Sequence, residues 1–262
     1  MLPVYVVHWK APDWCAQSVA SICASNIPVA VTVIDNGGAP LELSGVRVVG
    51  QNKNLGYTGG ANAAIRDWMA GGTPWAAICS HDLQVAPDTL AGLLAVGESN
   101  PSIGIIGPEY PDGTGAIGPS IGVVGMIELR EWISGTCLLL RRECIEDVGM
   151  FDEQFRNYVE DVDLCYRARD RGWMVGSVPG SSASGIGSIL GRSQAKVWSR
   201  RNRILLAAKR DGWRGAGRGT VIAAKYVGLA LRERRWADAA ASARGLAHGA
   251  WALVFGSRGV RR

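Results

Sequence analysis

Short apolar runs alternate with amphipathic stretches along the first 190 residues, an order that builds a layered sheet with helices on both faces. Leu2-Pro3-Val4-Tyr5-Val6-Val7 reads as a first strand, and Pro12 to Ala24 as a helix with proline in its first turn. Val29 to Ile34 reads as a second buried strand that stops at Asp35-Asn36-Gly37-Gly38. A Gly-rich stretch at 52–62 then enters a helix running through Trp68. Trp75 to Cys79 and Ile103 to Pro108 read as further strands, separated by a helix that opens at Pro87-Asp88 and runs through Val96. Gly113 to Met126 is a Gly-rich variable segment, and Trp132 to Leu140 reads as another strand. Gly149 reads as the C-cap of a helix, and Glu160 to Arg171 as a helix with acids at its start and Arg167, Arg169 and Arg171 at its end, the order that the helix dipole favours. From Ala195 on, two or three helices are expected: Ala195 to Arg210, Thr220 to Arg235 and Trp236 to Phe255. The fold class is therefore α/β, a mixed, mostly parallel sheet over residues 1–190 followed by a helical appendage over 191–262.

Composition supports that division. At 262 residues and 47% hydrophobic, the chain can bury one sizeable α/β core plus a smaller appendage. No run of eighteen apolar residues is present, which argues against a membrane-spanning helix, and the N-terminus carries no signal-peptide pattern. The six cysteines form no C-x-x-C pair and mostly sit in apolar runs, so buried thiols in a reduced cytoplasmic setting are expected. The net charge of +5 hides a split: residues 190–262 hold 17 Lys and Arg against 3 acids, whereas residues 1–189 hold 11 against 20.

Three places carry candidate chemistry. Glu160-Asp161-x-Asp163 gathers three carboxylates in four positions, which repel one another unless a cation, a base-type role or nearby arginines stabilise them. Ordinary first-turn helix acids are the alternative. Asp35 stands at a strand end, where open α/β sheets bind ligands, or caps its own turn. Lys53-Asn54-Leu55-Gly56-Tyr57-Thr58-Gly59-Gly60-Ala61-Asn62 could bring backbone amides and a helix N-terminus to a phosphate, although it is neither a Walker loop nor a G-x-G-x-x-G fingerprint.

Gly149-x-Phe151-Asp152-Glu153-x-Phe155, then Tyr158-x-Glu160-Asp161-x-Asp163-Leu164 with Arg167 and Gly172, resembles the signature of family 2 glycosyltransferases. Asn54-Leu55-Gly56 with Gly59-Gly60 and Asn62 resembles a second signature of the same family, especially its rhamnosyltransferase-like members. The resemblance implies a GT-A nucleotide-binding fold and inverting transfer of a sugar from a nucleotide-diphosphate donor. It implies Asp161 as the catalytic base, a role open to a positioned carboxylate. Asp35, Lys53, Asn54, Gly56, Gly59, Gly60 and Asn62 would then bind the donor. Trp132, Gly135 and Glu160 would lie where the acceptor and the donor sugar meet, although core packing accounts equally well for the Trp132 indole.

In the resembled family the strand end at Ser80-His81-Asp82 carries an acidic pair or an Asn-x-Asp variant, whose last Asp binds a divalent cation, Mg2+ or Mn2+, that bridges the diphosphate. Asp82 matches, Ser80 departs, and His81 reads as a solvated or hydrogen-bonded histidine. A histidine usual after the last core strand is also missing from Pro179 to Ser188; Gly185 stands in that run, and the other histidines are His8 and His248. These departures leave open a non-catalytic nucleotide-sugar-binding scaffold. A nicotinamide-dependent oxidoreductase fits the fold class alone. The basic C-terminal helices, with Trp198, Trp213, Tyr226, Trp236 and Trp251 among the arginines, suit an anionic membrane surface carrying a lipid-linked glycan or polysaccharide acceptor. Charge used for solubility is the alternative, and no nucleic-acid recognition motif is present. The expected enzyme is thus peripheral at the inner membrane face. dTDP-rhamnose is suggested as donor by the loop's resemblance, with UDP-sugars equally reasonable.

Overall fold

The computed structural model of the chain describes residues 1–37, 41, 43–51, 53–186 and 191–255. Gly38, Asn52, Gly187 and Ser188, which the sequence motifs include, lie outside the described residues. The chain divides into two compact units, Met1–Arg156 with Glu160–Gly187, and Asn157–Val159 with Ser188–Arg262.

The first unit is built on a ten-stranded sheet. Its strands are β1 (Leu2–His8), β2 (Val29–Asp35), β3 (Arg47–Gly50), β4 (Trp75–Ser80), β5 (Leu83–Val85), β6 (Ile103–Glu109), β7 (Ser120–Val124), β8 (Ile127–Arg130), β9 (Cys137–Arg141) and β10 (Met174–Gly185). Its helices are α1 (Pro12–Cys23), α2 (Gly56–Ala70), α3 (Thr89–Ser99), α4 (Arg142–Val148) and α5 (Glu160–Asp170). The spatial order is β3-β2-β1-β4-β9-β6-β10-β8-β7, with β5 paired to β10. β3, β2, β1 and β4 run parallel, β9 is inserted antiparallel between β4 and β6, and β6 and β10 are parallel again. The sheet is thus mixed, with the parallel run confined to its N-terminal half and to the β6–β10 pair.

Near-continuous apolar strands are buried on both faces, as a sheet covered by helices requires. On one face Val4, Val6, Val33, Ala77 and Leu139 pack with Cys15 and Ile22 of α1 and Leu90 and Leu93 of α3. On the other, Val7, Ile34, Ile78 and Leu138 pack with Ile65 and Trp68 of α2, Ile145 of α4 and Leu164 of α5. Each large aliphatic side chain fully buried in these layers contributes about 1.5–3 kcal/mol. The parallel register pairs His8 with Asp35 and Val7 with Ser80, so the C-terminal ends of β1, β2 and β4 share one edge.

Several elements differ from expectation. The strand expected from Trp132 begins only at Cys137, because residues 132–136 turn through a loop. The Gly-rich segment 113–126 contains β7, whose residues are all exposed and so show no buried face in the sequence. The run Pro179 to Gly185 does not follow the last strand but forms its second half.

In the second unit, α6 (Arg192–Arg232) and α7 (Trp236–Phe255) pack together. α6 is broken at Asp211 and Gly212, the glycine taking φ +58°, so it comprises two helical arms. The helices approach closely where side chains are absent: a Cβ on Gly245 would stand 2.7 Å from the Val197 carbonyl oxygen, and one on Gly249 2.7 Å from Ile204. Among the described residues no helix is long and apolar enough to cross a membrane.

Candidate active site

The three carboxylates at the start of α5 have three different surroundings. Asp163 is buried, and its Oδ2 accepts the Arg167 Nε–H at 2.8 Å, one helical turn on. Arg167 also donates to the carbonyls of Val148, Gly149 and Met150, so this pair clamps the loop after α4. Glu160 is 4% exposed, and its Oε2 has no hydrogen-bond partner among the described residues. Burial, and then the neighbouring charge of Asp161, push the Glu160 carboxyl well above the usual carboxylate range and favour its neutral form. Glu160, expected where the acceptor and the donor sugar meet, is enclosed by the protein.

Asp161 is half-buried and is aimed by backbone donors. Its Oδ2 accepts the Gly135 N–H at 2.7 Å and its Oδ1 accepts the Val162 N–H at 2.8 Å. Gly135 lies in the loop between β8 and β9. The Tyr57 hydroxyl of α2 donates to the Gly135 carbonyl, which joins α2, this loop and α5 at one point. A Cβ on Gly135 would sit 3.4 Å from both Asp161 Cβ and Tyr57 Cε1, in van der Waals contact with both. Desolvation, then the nearby Glu160, raise the Tyr57 phenol well above its ordinary value and keep it a donor. Trp132 is partly buried and packs on the core, and its carbonyl accepts the Gly118 N–H at 2.8 Å.

The Gly-rich loop is shaped from within. Asn36 accepts the Leu55 N–H at 3.0 Å and donates to the Gly56 carbonyl at 2.5 Å, while Asn54 Oδ1 accepts the Gly56 N–H at 2.7 Å. Gly56 takes φ +74°, and a Cβ there would meet the Arg156 carbonyl oxygen at 2.5 Å. Gly60 lets α2 descend onto β1, where a Cβ would meet Val7 at 2.7 Å, and a Cβ on Gly59 would meet Leu55. These glycines were expected to open the backbone to a phosphate; all three are buried against protein. Asn62 likewise spends its amide internally, accepting the Phe151 N–H at 3.0 Å and donating to the Phe151 carbonyl and to Glu153. Lys53 is exposed beside this loop.

At the shared strand edge, His8 and Asp35 form a buried pair. The Ala11 N–H donates to His8 Nε2 at 3.1 Å, so Nδ1 carries the proton and donates to Asp35 Oδ1 at 3.0 Å. Beyond β4, the Ser80 hydroxyl donates to Asp82 Oδ1. His81 donates through Nδ1 to the Val7 carbonyl, lies parallel to Trp14 at 6.3 Å, and has a buried Nε2 without a partner among the described residues. Desolvation lowers its pKa. The Ile186 N–H donates to the Asp82 carbonyl, which brings the run around Gly185 beside Asp82. Among the described residues no three His, Cys, Asp or Glu side chains gather as a metal cluster. One carboxylate with an adjacent hydroxyl nevertheless suits a hard cation that takes its other oxygens from phosphate and water.

His8, Asn36 and Tyr57 were not among the expected site residues. The polar interruption after the β1 run was the available signal for His8; Asn36 and Tyr57 acquire their roles only through the fold.

No family model matches the chain. It is 29% identical to N-acetylglucosaminyl-diphospho-decaprenol L-rhamnosyltransferase of Mycobacterium tuberculosis, over 81% of this chain and 86% of that protein. It is 22% identical to the low-salt glycan biosynthesis hexosyltransferase Agl10 of Haloferax volcanii, over 64% of this chain and 61% of that protein. Its fold matches the mannosyltransferase PcManGT of Pyrobaculum calidifontis, solved with GDP-Man and Mn2+, with TM-score 0.65 at 15% identity, covering 98% of this chain and 88% of that one. It also matches S. aureus TarS residues 1–349, with TM-score 0.58 at 13% identity, covering 79% and 65%. With the motif order and the sheet already described, these likenesses support a family 2-like, rhamnosyltransferase-like glycosyltransferase of GT-A fold.

Proposed function

We propose that the chain transfers a sugar from a nucleotide-diphosphate donor to a hydroxyl of a lipid-linked glycan, with inversion at the anomeric carbon. The observation that carries this reading is the differing state of the three carboxylates: Asp163 is committed to Arg167, Glu160 is enclosed and favoured neutral, and Asp161 is held by two backbone N–H groups at the Gly135 junction.

In the step, Asp161 takes the acceptor hydroxyl proton as that oxygen attacks the anomeric carbon, the glycosidic bond forms, and the bond to the diphosphate breaks with its electron pair leaving on phosphate. A single in-line displacement inverts the anomeric configuration. Asp35, with His8 fixing its orientation, binds the ribose or base of the donor. Lys53 and Asn54 face its phosphates, while Gly56, Gly59, Gly60 and Asn62 act by seating the loop and α2. Trp132 and Gly135 border the sugar, and Glu160 acts from inside, as the residue that precedes Asp161 at the start of α5. Asp82, with Ser80, would hold Mg2+ or Mn2+, which when bound would offset charge growing on the leaving diphosphate.

The rhamnosyltransferase relative's name specifies a decaprenyl-linked acceptor, which supports a lipid-linked substrate here. The basic helices of the second unit, with Trp213, Trp236 and Trp251 exposed, support docking on an anionic membrane at its cytoplasmic face. The test is a panel of dTDP-rhamnose, UDP-N-acetylglucosamine and GDP-mannose, each with Mn2+, read by thermal shift and by nucleoside diphosphate release with a short-chain N-acetylglucosaminyl-diphosphoprenol. A donor that raises the melting point and turns over supports the enzyme. A donor that binds without turnover overturns it in favour of a binding scaffold.

A further inference from the structure

The backbone that leads into the base is held in an unusual conformation. Tyr158 and Val159 take φ +65° and +75°, two successive residues in the left-handed region, and neither is glycine. A β-branched residue there is a steric outlier, and such a conformation persists only where surrounding bonds over-determine it. Glu160 and Asp161 follow at once as the first residues of α5, so the direction of this pair sets where α5 begins.

One side chain bonds two consecutive carbonyls of this turn. Asn202 of α6 is fully buried, and its Nδ2 donates to the carbonyls of Asn157 at 2.8 Å and Tyr158 at 2.7 Å. Its Oδ1 accepts from Arg201 Nη1 at 2.6 Å. Both amide hydrogens are therefore spent on consecutive carbonyls of the strained turn, and the arginine bond fixes which way the amide faces. All of these residues belong to the second unit, and the chain passes directly from Val159 into Glu160. Asn202 offers no hydrogen to a substrate, so its effect on the reaction runs through the backbone.

We propose that Asn202 is a positioning residue for the base: it fixes the left-handed Tyr158-Val159 turn and thereby the placement of Asp161 at Gly135. This rests on the assignment of Asp161 as base. A near-attack geometry tolerates little displacement, and an error of about 1 Å lowers rate on the order of 100-fold.

The experiment compares Asn202→Ala, the isosteric Asn202→Asp, which lacks the donor hydrogens, and Asp161→Asn in the full chain. Sugar transfer from the active donor of the panel above, melting temperature, and hydrogen exchange over residues 156–164 are measured. Both Asn202 variants are expected to lose at least tenfold in kcat with donor KM within about twofold of native, and to exchange faster over 156–164. An Asn202 variant that melts like native and keeps native kcat overturns the proposal, as does a loss that appears in KM with kcat unchanged. If Asn202→Ala melts early, Asn202→Asp assayed below its own melting point decides on the same criteria. The outcomes separate the two readings: full activity in Asp161→Asn removes the base assignment and this proposal with it, whereas an inactive Asp161→Asn beside fully active Asn202 variants removes the positioning role alone.

Discussion

Asp161 accepts the backbone N–H of Gly135 at 2.7 Å, a bond between the first turn of α5 and a loop 26 residues earlier. The bond favours the ionised carboxylate and fixes its rotamer, the two properties that a general base requires. Asp161→Asn keeps the shape and can still bond through its amide oxygen, but it cannot take a proton. Transfer is expected to fall by about 10^2- to 10^4-fold. Donor affinity and melting temperature should remain close to native, and the comparison of single-turnover rate with a donor thermal shift checks both.

Asp163 is distinguished from Asp161 by what its removal does. Its side chain is 3% exposed and paired with Arg167, whose other hydrogens hold the carbonyls of Val148, Gly149 and Met150. Arg167→Ala removes the charge partner of a buried carboxylate together with three carbonyl bonds, a loss on the order of 3–5 kcal/mol. Chemical denaturation should show that loss, while Asp161→Asn should not.

Glu160 gives a pH signature. Its folded carboxyl lies above its unfolded value, so the native state binds the proton more tightly than the unfolded chain. Below the ordinary carboxylate range both states are protonated and no penalty arises. As pH rises from there towards the folded value, the unfolded state releases the proton first and stability falls. Glu160→Gln carries a neutral isostere and escapes that fall. Its urea midpoint relative to native is expected to increase between pH 5 and pH 8; a difference that stays constant would place the native carboxyl in its ordinary range.

The glycines of the loop were readable as a motif, and the structure adds the packing that each of them permits. Gly56 at φ +74° stands where a Cβ would strike the Arg156 carbonyl, so Gly56→Ala combines backbone strain with a clash. The expected loss is about 1–3 kcal/mol, together with a higher donor KM because Asn54 and Lys53 precede the displaced residue. Denaturation midpoints and donor titration test the two parts separately.

The parts of this fold that show in the sequence are those whose burial writes a pattern. β1, β2 and β4 are apolar runs closed by polar residues, and α5 carries its acids and arginines in dipole order. β7 is exposed throughout, so no face distinguishes it from a loop. Residues 132–136 lead directly into an apolar strand, yet they form a loop in which Gly135 reaches Asp161, a contact made by tertiary structure. The same reason hides Asn36, Tyr57 and Asn202. Each is a polar residue with at least one partner 19 to 78 positions away. The acid triplet was visible at once, but the assignment of its members depended on Arg167, on Gly135 and on the enclosure of Glu160, none of which spacing contains.

The second unit presents Trp213 at 79%, Trp236 at 65% and Trp251 at 63% exposure on a strongly basic segment. Indoles favour the headgroup boundary, and each Lys or Arg near an anionic surface adds about 1 kcal/mol of attraction. The chain is therefore expected to sediment with vesicles containing phosphatidylglycerol and to stay in solution with pure phosphatidylcholine. Because the attraction is screened within a Debye length of about 10 Å at 0.1 M salt, raising salt to 0.5 M should release most of the bound protein. Trp213→Ser and Trp236→Ser together should weaken binding to anionic vesicles at low salt without changing the melting temperature, since both side chains stand clear of the helical core. Equal binding to the two lipids would mean that charge does not select the surface, and undiminished binding by the double variant would remove the indoles from the contact.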